Sequence, residues 1–577
     1  MLFLASISRA FPQVLRVWRA LSGLLLFGVL LSGCSTYGES VKTVVDDTRQ
    51  QNYLAADKVA KESLSPWGQD RLLHYLERGM IAHLDKRYQD SNTLLEKAYD
   101  IADSLYRTDI KDVLASAMTH PGNATYKGQL YERVFLHYTK MLNYLMLAQE
   151  SASRKKLERW LDGARVENRR LQLLLDEHVF KVGNYREAKN EKEELFQQFT
   201  KVFRELTGAS FDPNKLLFRD QAFAHYVMGA MYEQYGELDN ARISYQRSAR
   251  LYEEGYIEQY HLDPVMAKQA WQDTVRIMQK AGGYQDRWPK LVKEKGLNKK
   301  TIYQSEMADL LVLQHVDLSP ERKVLNMHLT INKKSKQLVL RPIPLGSRQE
   351  RKEQAAWFYL LHADKGVYNL IRDFYDGSIF NSEGLFFNSQ ATTLAPIWST
   401  IEKTGLDQTL GNPGIRVAVP YYPVPYEPVR KSAINIDTAQ QSYSARYLIK
   451  ADSVAMLGLL QQVIVSRGEL YSAMARETLR NMAAQEALKE LGEWAKLGSK
   501  LLTASTTGAD TRSWLLLPHS IRLQRLQLPA GNHNIKLTSY LSNGEKIEQT
   551  YQVELTAGNL KILNLRTFVP LNKKLQR

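Results

Sequence analysis

Gly229-Ala230-Met231-Tyr232-Glu233-Gln234-Tyr235-Gly236-Glu237-Leu238-Asp239-Asn240-Ala241-Arg242-Ile243-Ser244-Tyr245-Gln246-Arg247-Ser248 is the stretch that decides how the first half of the chain is read. Small and aromatic residues recur at helical spacing on both sides of Gly236. Gly229 and Ala241 are small enough to let two antiparallel helices approach closely. Tyr232 and Tyr245 fill the space between them, and Gly236 allows the tight connection. An earlier stretch shares the register: Gly79 aligns with Gly229, Ser91 with Ala241, Leu95 with Tyr245 and Ala98 with Ser248. That copy is degenerate, with Lys86 at the turn glycine's place and Ala82 at the inner tyrosine's.

Two copies in one register resemble the tetratricopeptide repeat, whose helix pairs stack into a concave array. The alternative is two unrelated helical hairpins. Between the copies lie Tyr126-Lys127-Gly128-Gln129-Leu130-Tyr131-Glu132-Arg133 and Ala164-Arg165-Val166-Glu167-Asn168-Arg169-Arg170. With Gly414 to Pro428 and Ala509-Asp510-Thr511-Arg512-Ser513-Trp514, they resemble a family of Gram-negative tetratricopeptide-like lipoproteins. The resemblance covers most of the chain after residue 34 and supplies no activity. Read physically, Ala164 to Arg170 is the charged side of an amphipathic helix whose Leu157, Trp160, Leu161 and Ala164 face inward, so its arginines are a solvated face.

The helical pattern runs through Met266–Ala281 and fades at Gly282-Gly283, and the basic run Lys290 to Lys300 reads as a linker. From Met307 the period becomes two, as in half-buried antiparallel strands: Leu311, Leu313 and His315, then Leu325, Met327, Leu329 and Ile331. Lys333-Lys334-Ser335-Lys336 reads as a hairpin turn, and Glu350–Tyr375 as a helix burying Trp357, Leu360 and Leu361. Residues 453–503 form a long helix, apolar on more than one face and too charged to cross a membrane. The chain ends in strands that read as a small antiparallel meander, sandwich-like, with Asn543-Gly544 as a two-residue turn at positive φ. The expected fold class is α+β. The expected segments are 1–33 signal peptide, 34–65 tether and first helix, 66–300 helical domain, 301–452 β-rich domain, 453–503 helical segment packed on it, and 504–577 antiparallel β module.

The start of the chain speaks for location. Arg9, Arg16 and Arg19 precede an apolar run, Leu21 to Leu31, which ends in Leu31-Ser32-Gly33-Cys34. This is the order of a secretory signal peptide. The run is shorter than the roughly 20 residues a membrane span needs. Leu-Ser-Gly-Cys resembles the bacterial lipobox, which implies cleavage after Gly33 and lipid (palmitate) attachment at Cys34. By resemblance to lipoprotein sorting, Ser35 in place of Asp implies the periplasmic face of the outer membrane. Cys34 is the only cysteine of the 577 residues, so no internal disulfide can form and the fold rests on its own core. The formal charge is +15, and residues 1–33 hold three arginines and no acid, leaving 15 − 3 = +12 beyond them. A basic surface can attract anionic glycans, lipid headgroups or nucleic acid. With no zinc-finger spacing or RNA-binding aromatic signature, nucleic acid is not an expected partner.

Catalytic signatures are missing from the sequence: no HExxH, P-loop, GxGxxG after a strand or GxSxG. No catalytic residue, metal or cofactor is expected, and His83, His137 and His225 read as satisfied helix residues. Four candidate binding residues remain. Tyr421 and Tyr422 sit in the proline-rich stretch and form either an aromatic platform for a sugar or peptide or part of a rigid connector, which is the favoured reading. Arg512 and Trp514 form either an anion-and-ring clamp or, as favoured, a loop tie with a buried plug. The expected function is a lipid-anchored scaffold or adaptor for protein partners of a cell-envelope assembly system. The alternative is a glycan-binding protein or cryptic hydrolase acting on peptidoglycan or exported polysaccharide.

Overall fold

The computed structural model describes residues 37–118, 122, 124–178, 198–204, 220–297, 303–363, 372–373, 389–424, 426–438, 442–487 and 507–570. Cys34, the apolar run before it and the end of the long helix past 487 lie outside the described residues. The architecture is α+β: an N-terminal helical array followed by a β-rich region with antiparallel sheets.

The array holds α1 (Lys42–Arg49), α2 (Tyr53–Ser63), α3 (Arg71–Leu84), α4 (Tyr88–Met118), α5 (Leu130–Gln149), α6 (Arg154–His178), α7 (Ala222–Gln234), α8 (Leu238–Leu251) and α9 (Val265–Ala281). The two aligned stretches are the hairpins α3–α4 and α7–α8, and they agree down to the backbone. Lys86 has φ 61° and Gly236 has φ 75°. Arg87 N–H donates to the Ala82 carbonyl at 2.9 Å, as Glu237 N–H does to Tyr232 at 2.9 Å. Both turns are therefore helix ends closed by one left-handed residue, which satisfies carbonyls the last turn would leave unpaired. The first copy tolerates lysine where the second uses glycine. Helix approach is equally close in both. A Cβ on Gly79 would lie 2.6 Å from Leu95 Cδ2, and one on Gly229 would lie 2.8 Å from Tyr245 Cδ1.

The segment expected to tether the chain is packed from Tyr37 onward. Tyr37, Val41, Val44, Ala56 and Ala60 are buried, and the Tyr37 hydroxyl donates to Glu77 Oε1 at 3.1 Å. The polar look of this stretch reflects helices with one narrow apolar stripe. The basic run read as a linker likewise begins inside a helix, α10 (Trp288–Glu294), which buries Val292.

Three four-stranded sheets follow. The first has the order β12-β1-β9-β8, built from β1 (Met307–Val316), β8 (Ile449–Asp452), β9 (Ser520–Pro529) and β12 (Leu560–Thr567). β1 and β12 are parallel, from Asp309↔Leu560 to Val316↔Thr567, while β9 runs antiparallel to β1. The second, β11-β10-β6-β7, joins β6 (Val429–Thr438), β7 (Ser442–Tyr447), β10 (Gly531–Leu541) and β11 (Lys546–Leu555). The third, β4-β3-β2-β5, joins β2 (Lys323–Asn332), β3 (Gln337–Pro342), β4 (Gln390–Thr393) and β5 (Ile415–Tyr421). α11 (Arg348–His362) buries Trp357, Leu360 and Leu361 in the same core as Leu325, Met327, Leu329 and Ile331 of β2.

The first two sheets form a sandwich. Leu310, Val312 and Leu565 meet Ile434, Ile436, Ile535, Leu537, Val553 and Leu555. The opposite face of the first sheet, with Leu311, Leu313, Ile521, Leu523 and Ile562, joins the core shared with the helices. β1 is thus buried on both faces, not one as its alternation suggested. The continuous run Leu310-Leu311-Val312-Leu313 fits this position. The last four strands are also not a self-contained meander, because only β10 and β11 pair with each other, while β9 and β12 flank β1. A strand buried on both faces needs a ladder on each edge, since its backbone has no water to bond. The β10–β11 turn differs from expectation too. Gly544 N–H donates to the Leu541 carbonyl at 3.1 Å and Gly544 alone has positive φ, 88°, so the loop has three residues, Ser542 to Gly544. α12 (Val454–Ala487) lies along β5, with Leu459, Leu460, Val463 and Met474 buried.

Candidate functional site

The four candidate binding residues are spent on structure. Pro420, on edge strand β5, leads into Tyr421 and Tyr422, both buried. Tyr421 packs beside Trp357 with ring centroids 6.2 Å apart. The Tyr422 hydroxyl lies 3.2 Å from that of Tyr131 and occupies the space a Cβ on Gly458 would need. Neither ring is presented to solvent, so they form no surface platform. Proline held the strand at a sheet edge, and the tyrosines filled the gap between β5, α5 and α12.

Arg512 forks onto Asp510, Nε to Oδ1 and Nη2 to Oδ2, both 2.8 Å. It also donates to Asp70 Oδ1 at 3.0 Å and to the Ala124 carbonyl at 2.9 Å. Its charge is matched within the fold, and Trp514 beside it is fully buried. Two buried carboxylates of the array hold the same segment by its backbone. Glu132 Oε1 accepts from Trp514 N–H at 2.7 Å. Glu77 accepts from Leu515 N–H at 2.8 Å and Leu516 N–H at 3.2 Å. Burial pushes the Glu77 carboxyl up to about 8, against the pull of these donors, and raises Glu132 as well. The sequence showed the tie within Asp510–Arg512 but not the two glutamates, which are over 380 residues away.

A second polar knot joins array and sandwich. Arg276 meets Glu233 through two contacts of 2.6 Å, and Arg525 of β9 reaches Glu233 at 2.8 Å. Asp273 and Asp309 flank both arginines at 3.2–3.5 Å. The arginines hold Glu233 far below the usual carboxylate range despite its burial. A carboxylate so matched cannot donate a proton near neutral pH, so the knot is a structural weld.

Among the described residues, one cavity of about 450 Å³ lies between β5 and α12, with Val419, Ile464 and Ala473 in its walls, and another of about 440 Å³ lies where the sandwich edge meets the array. β12 and β11, edge strands of their two sheets, line one side through Lys561 to Arg566, Gln549 and Tyr551. α3 and α5 line the other through Met80, Leu84, Phe135, Leu142 and Met146. Its two histidines are fixed as neutral rings. His83 Nδ1 donates to Asn143 Oδ1 at 2.6 Å and Nε2 accepts from Asn564 at 3.2 Å. His315 Nε2 accepts from the Tyr138 hydroxyl at 2.8 Å and Nδ1 donates to the Leu565 carbonyl at 3.2 Å. Burial drives His83 down to about 4 and His315 to about 3. Arg566 gives one N–H to the Leu516 carbonyl at 2.9 Å, and no described carboxylate lies within ion-pair distance of it. Burial lowers it to about 10. Such a site combines apolar walls, fixed polar groups and a cation that lies over the Phe568 ring with no described carboxylate at ion-pair distance, as binding pockets do. A third cavity, of about 390 Å³, is polar, with walls that include Gln269, Gln272, Gln304, Gln524, Gln527 and Arg446.

No protein-family model and no curated protein matches this chain. Among the described residues, no group of three or more His, Cys, Asp or Glu side chains could hold a metal ion, and no helix is long and apolar enough to cross a membrane. The edge cavity was not legible in the sequence. Its residues come from α2, α3, α4, α5, β1, β11, β12 and the loops beside them, which no local pattern brings together.

Proposed function

We propose that the protein is a lipid-anchored scaffold or adaptor on the periplasmic face of the outer membrane, binding protein partners of a cell-envelope assembly system. The observation that carries this reading is the cavity along the β12 edge, walled by the tetratricopeptide-like array. The array shares its core with one face of the first sheet, and the edge cavity is lined by both, so a partner there would touch both. The lipobox supports the location. Tyr37 is already packed, and three residues of chain reach at most about 11 Å from Cys34. A lipid on Cys34 would therefore hold the body against the membrane, with little reach into the periplasm.

The test is a photo-crosslinking residue at Lys561, on the cavity wall, in intact cells, with the exposed turn residue Lys334 as control. Discrete protein adducts from position 561 that are absent from position 334 support the adaptor. Identical patterns at both positions count against it. For the anchor, Cys34→Ser should leave the chain unlipidated, and mass spectrometry of the mature N-terminus decides this. A mature chain starting elsewhere than Cys34, without lipid, overturns the lipoprotein reading.

The glutamine-lined cavity favours a second reading, a glycan binder, because side-chain amides both donate to and accept from sugar hydroxyls. Retention of the chain on purified cell wall, lost in Gln524→Ala, would support it.

A further inference from the structure

We propose that the edge cavity takes an extended, acidic segment of a partner protein, which adds as a strand to the outer edge of β12. The proposal rests on the adaptor reading and names the kind of partner.

Backbone phase is the first argument. Asp309 N–H donates to the Asn559 carbonyl and Asp317 N–H to Thr567, at 2.9 and 2.8 Å. Odd residues of β12 therefore face β1, and even residues face away. One outward group on each of Leu560, Ile562 and Arg566 is already capped by a glutamine amide. Gln234 donates to the Leu560 carbonyl, Gln149 accepts from Ile562 N–H at 3.2 Å, and Gln549 donates to the Arg566 carbonyl at 3.2 Å. At the centre, the N–H and C=O of Asn564 pair with nothing among the described residues. Edge strands left unpaired template strand addition, and proteins ordinarily cover them. Here the cover stops where the cavity lies. Ile562 to Arg566 spans about 13 Å, at roughly 3.3 Å per residue, enough for a segment of four or five residues.

The walls suit a strand's alternation. One set of side chains on an added strand would face Phe135, Leu142 and Met146 of α5, and the other Tyr551 of β11. Charge selects the occupant. Arg566, Lys561 and Lys86 line the cavity against one acid, Glu150, and Arg566 has no described carboxylate partner. The chain's own last residues, Leu571 to Arg577, carry Lys573, Lys574 and Arg577 and no acid, so they have the wrong sign to fill it.

The full chain in detergent micelles would be panned against a random heptapeptide library, and enriched peptides measured by fluorescence anisotropy. The expected class alternates apolar residues and carries Asp or Glu. Arg566→Gln should weaken it at least tenfold. N-methylation of the peptide should weaken binding at least tenfold at alternate amides and be tolerated at those between. That period of two reports strand pairing without altering the protein. The proposal is overturned by the absence of an enriched class, by basic peptides, by N-methyl effects without alternation, by indifference to Arg566→Gln, or by self-association of the chain at this edge. If it falls while position 561 still cross-links discrete proteins in cells, the adaptor reading stands and only strand addition is wrong.

Discussion

Gly229→Ala adds one methyl group at the tightest point of the second hairpin. Its carbon would lie 2.8, 2.9 and 3.0 Å from three ring carbons of Tyr245. That ring is held from every side. It meets Tyr226 edge-on at 5.2 Å, its hydroxyl donates to Glu233 at 3.2 Å, and it accepts from Arg525 at 3.1 Å. Retreat of the ring would pull on the buried ion cluster that welds array to sandwich. Overpacking of this kind costs about 1–3 kcal/mol. Alanine returns up to about 1 kcal/mol of helix propensity over glycine. The net expectation is a loss of about 1–2 kcal/mol, seen as a lowered Tm and faster amide exchange across Ala222–Leu251. Gly79→Ala is the control. Its methyl also lies too close, 2.6 Å from Leu95 Cδ2, but a leucine can turn about two bonds and holds no hydrogen bond. It should cost less. The decisive measurement is the double mutant. Tyr245→Ala alone should cost roughly 3–5 kcal/mol for the cavity it leaves. In that background Gly229→Ala should become neutral or stabilising, because the clash is gone and the propensity gain remains. An equal penalty in both backgrounds would refute the reasoning.

The remaining predictions concern charge and turns. Glu77, pushed up to about 8, and Asp452 and Glu469, up to about 7, hold protons in the folded chain that the unfolded chain has already released. Their contribution is full below their ordinary values and is lost as pH rises through the shifted ones, so Tm should fall from pH 6 to 9. At about 1.4 kcal/mol per unit, Glu77 accounts for roughly 3 kcal/mol of the fall between pH 6 and its shifted value, and Glu77→Gln should flatten the fall; an unchanged slope would show that Glu77 is ionised in the fold. Glu233→Gln leaves Arg276 and Arg525 short of a counter-charge and should cost about 3–5 kcal/mol by thermal denaturation, more than Lys280→Ala at the rim. Lys86→Gly relieves a left-handed lysine and should leave Tm unchanged or raise it by up to about 1 kcal/mol equivalent; a clear loss would mean that the lysine side chain supports the turn. Gly544→Val should destabilise the β10–β11 hairpin by strain alone, since nothing lies within 4 Å of its Cβ position, and should increase proteolysis there more than Lys546→Ala does.

Local chemistry decided what could be read from the sequence. The hairpins followed from Gly79, Gly229, Leu95 and Tyr245, because close helix approach demands small residues at fixed spacing, and the structure keeps that register through both turns. The strands of the third sheet followed from a clean period of two at Leu325 to Ile331. The lone cysteine excluded disulfides outright. Tertiary structure decided which strands are neighbours. β1 and β12 pair although about 250 residues separate them, and neither strand's pattern names its partner. It also decided that Tyr421 and Tyr422 are core and not surface, since their burial depends on α5, α11 and α12 closing over them. Glu77 and Glu132 look in sequence like ordinary helix acids; only the packing of Trp514 to Leu516 against them makes them the anchors of a distant segment. The open edge at Asn564 is of the same kind. Backbone phase is set by the ladder to β1, and the sequence of β12 by itself cannot tell which of its amides face a partner and which face space.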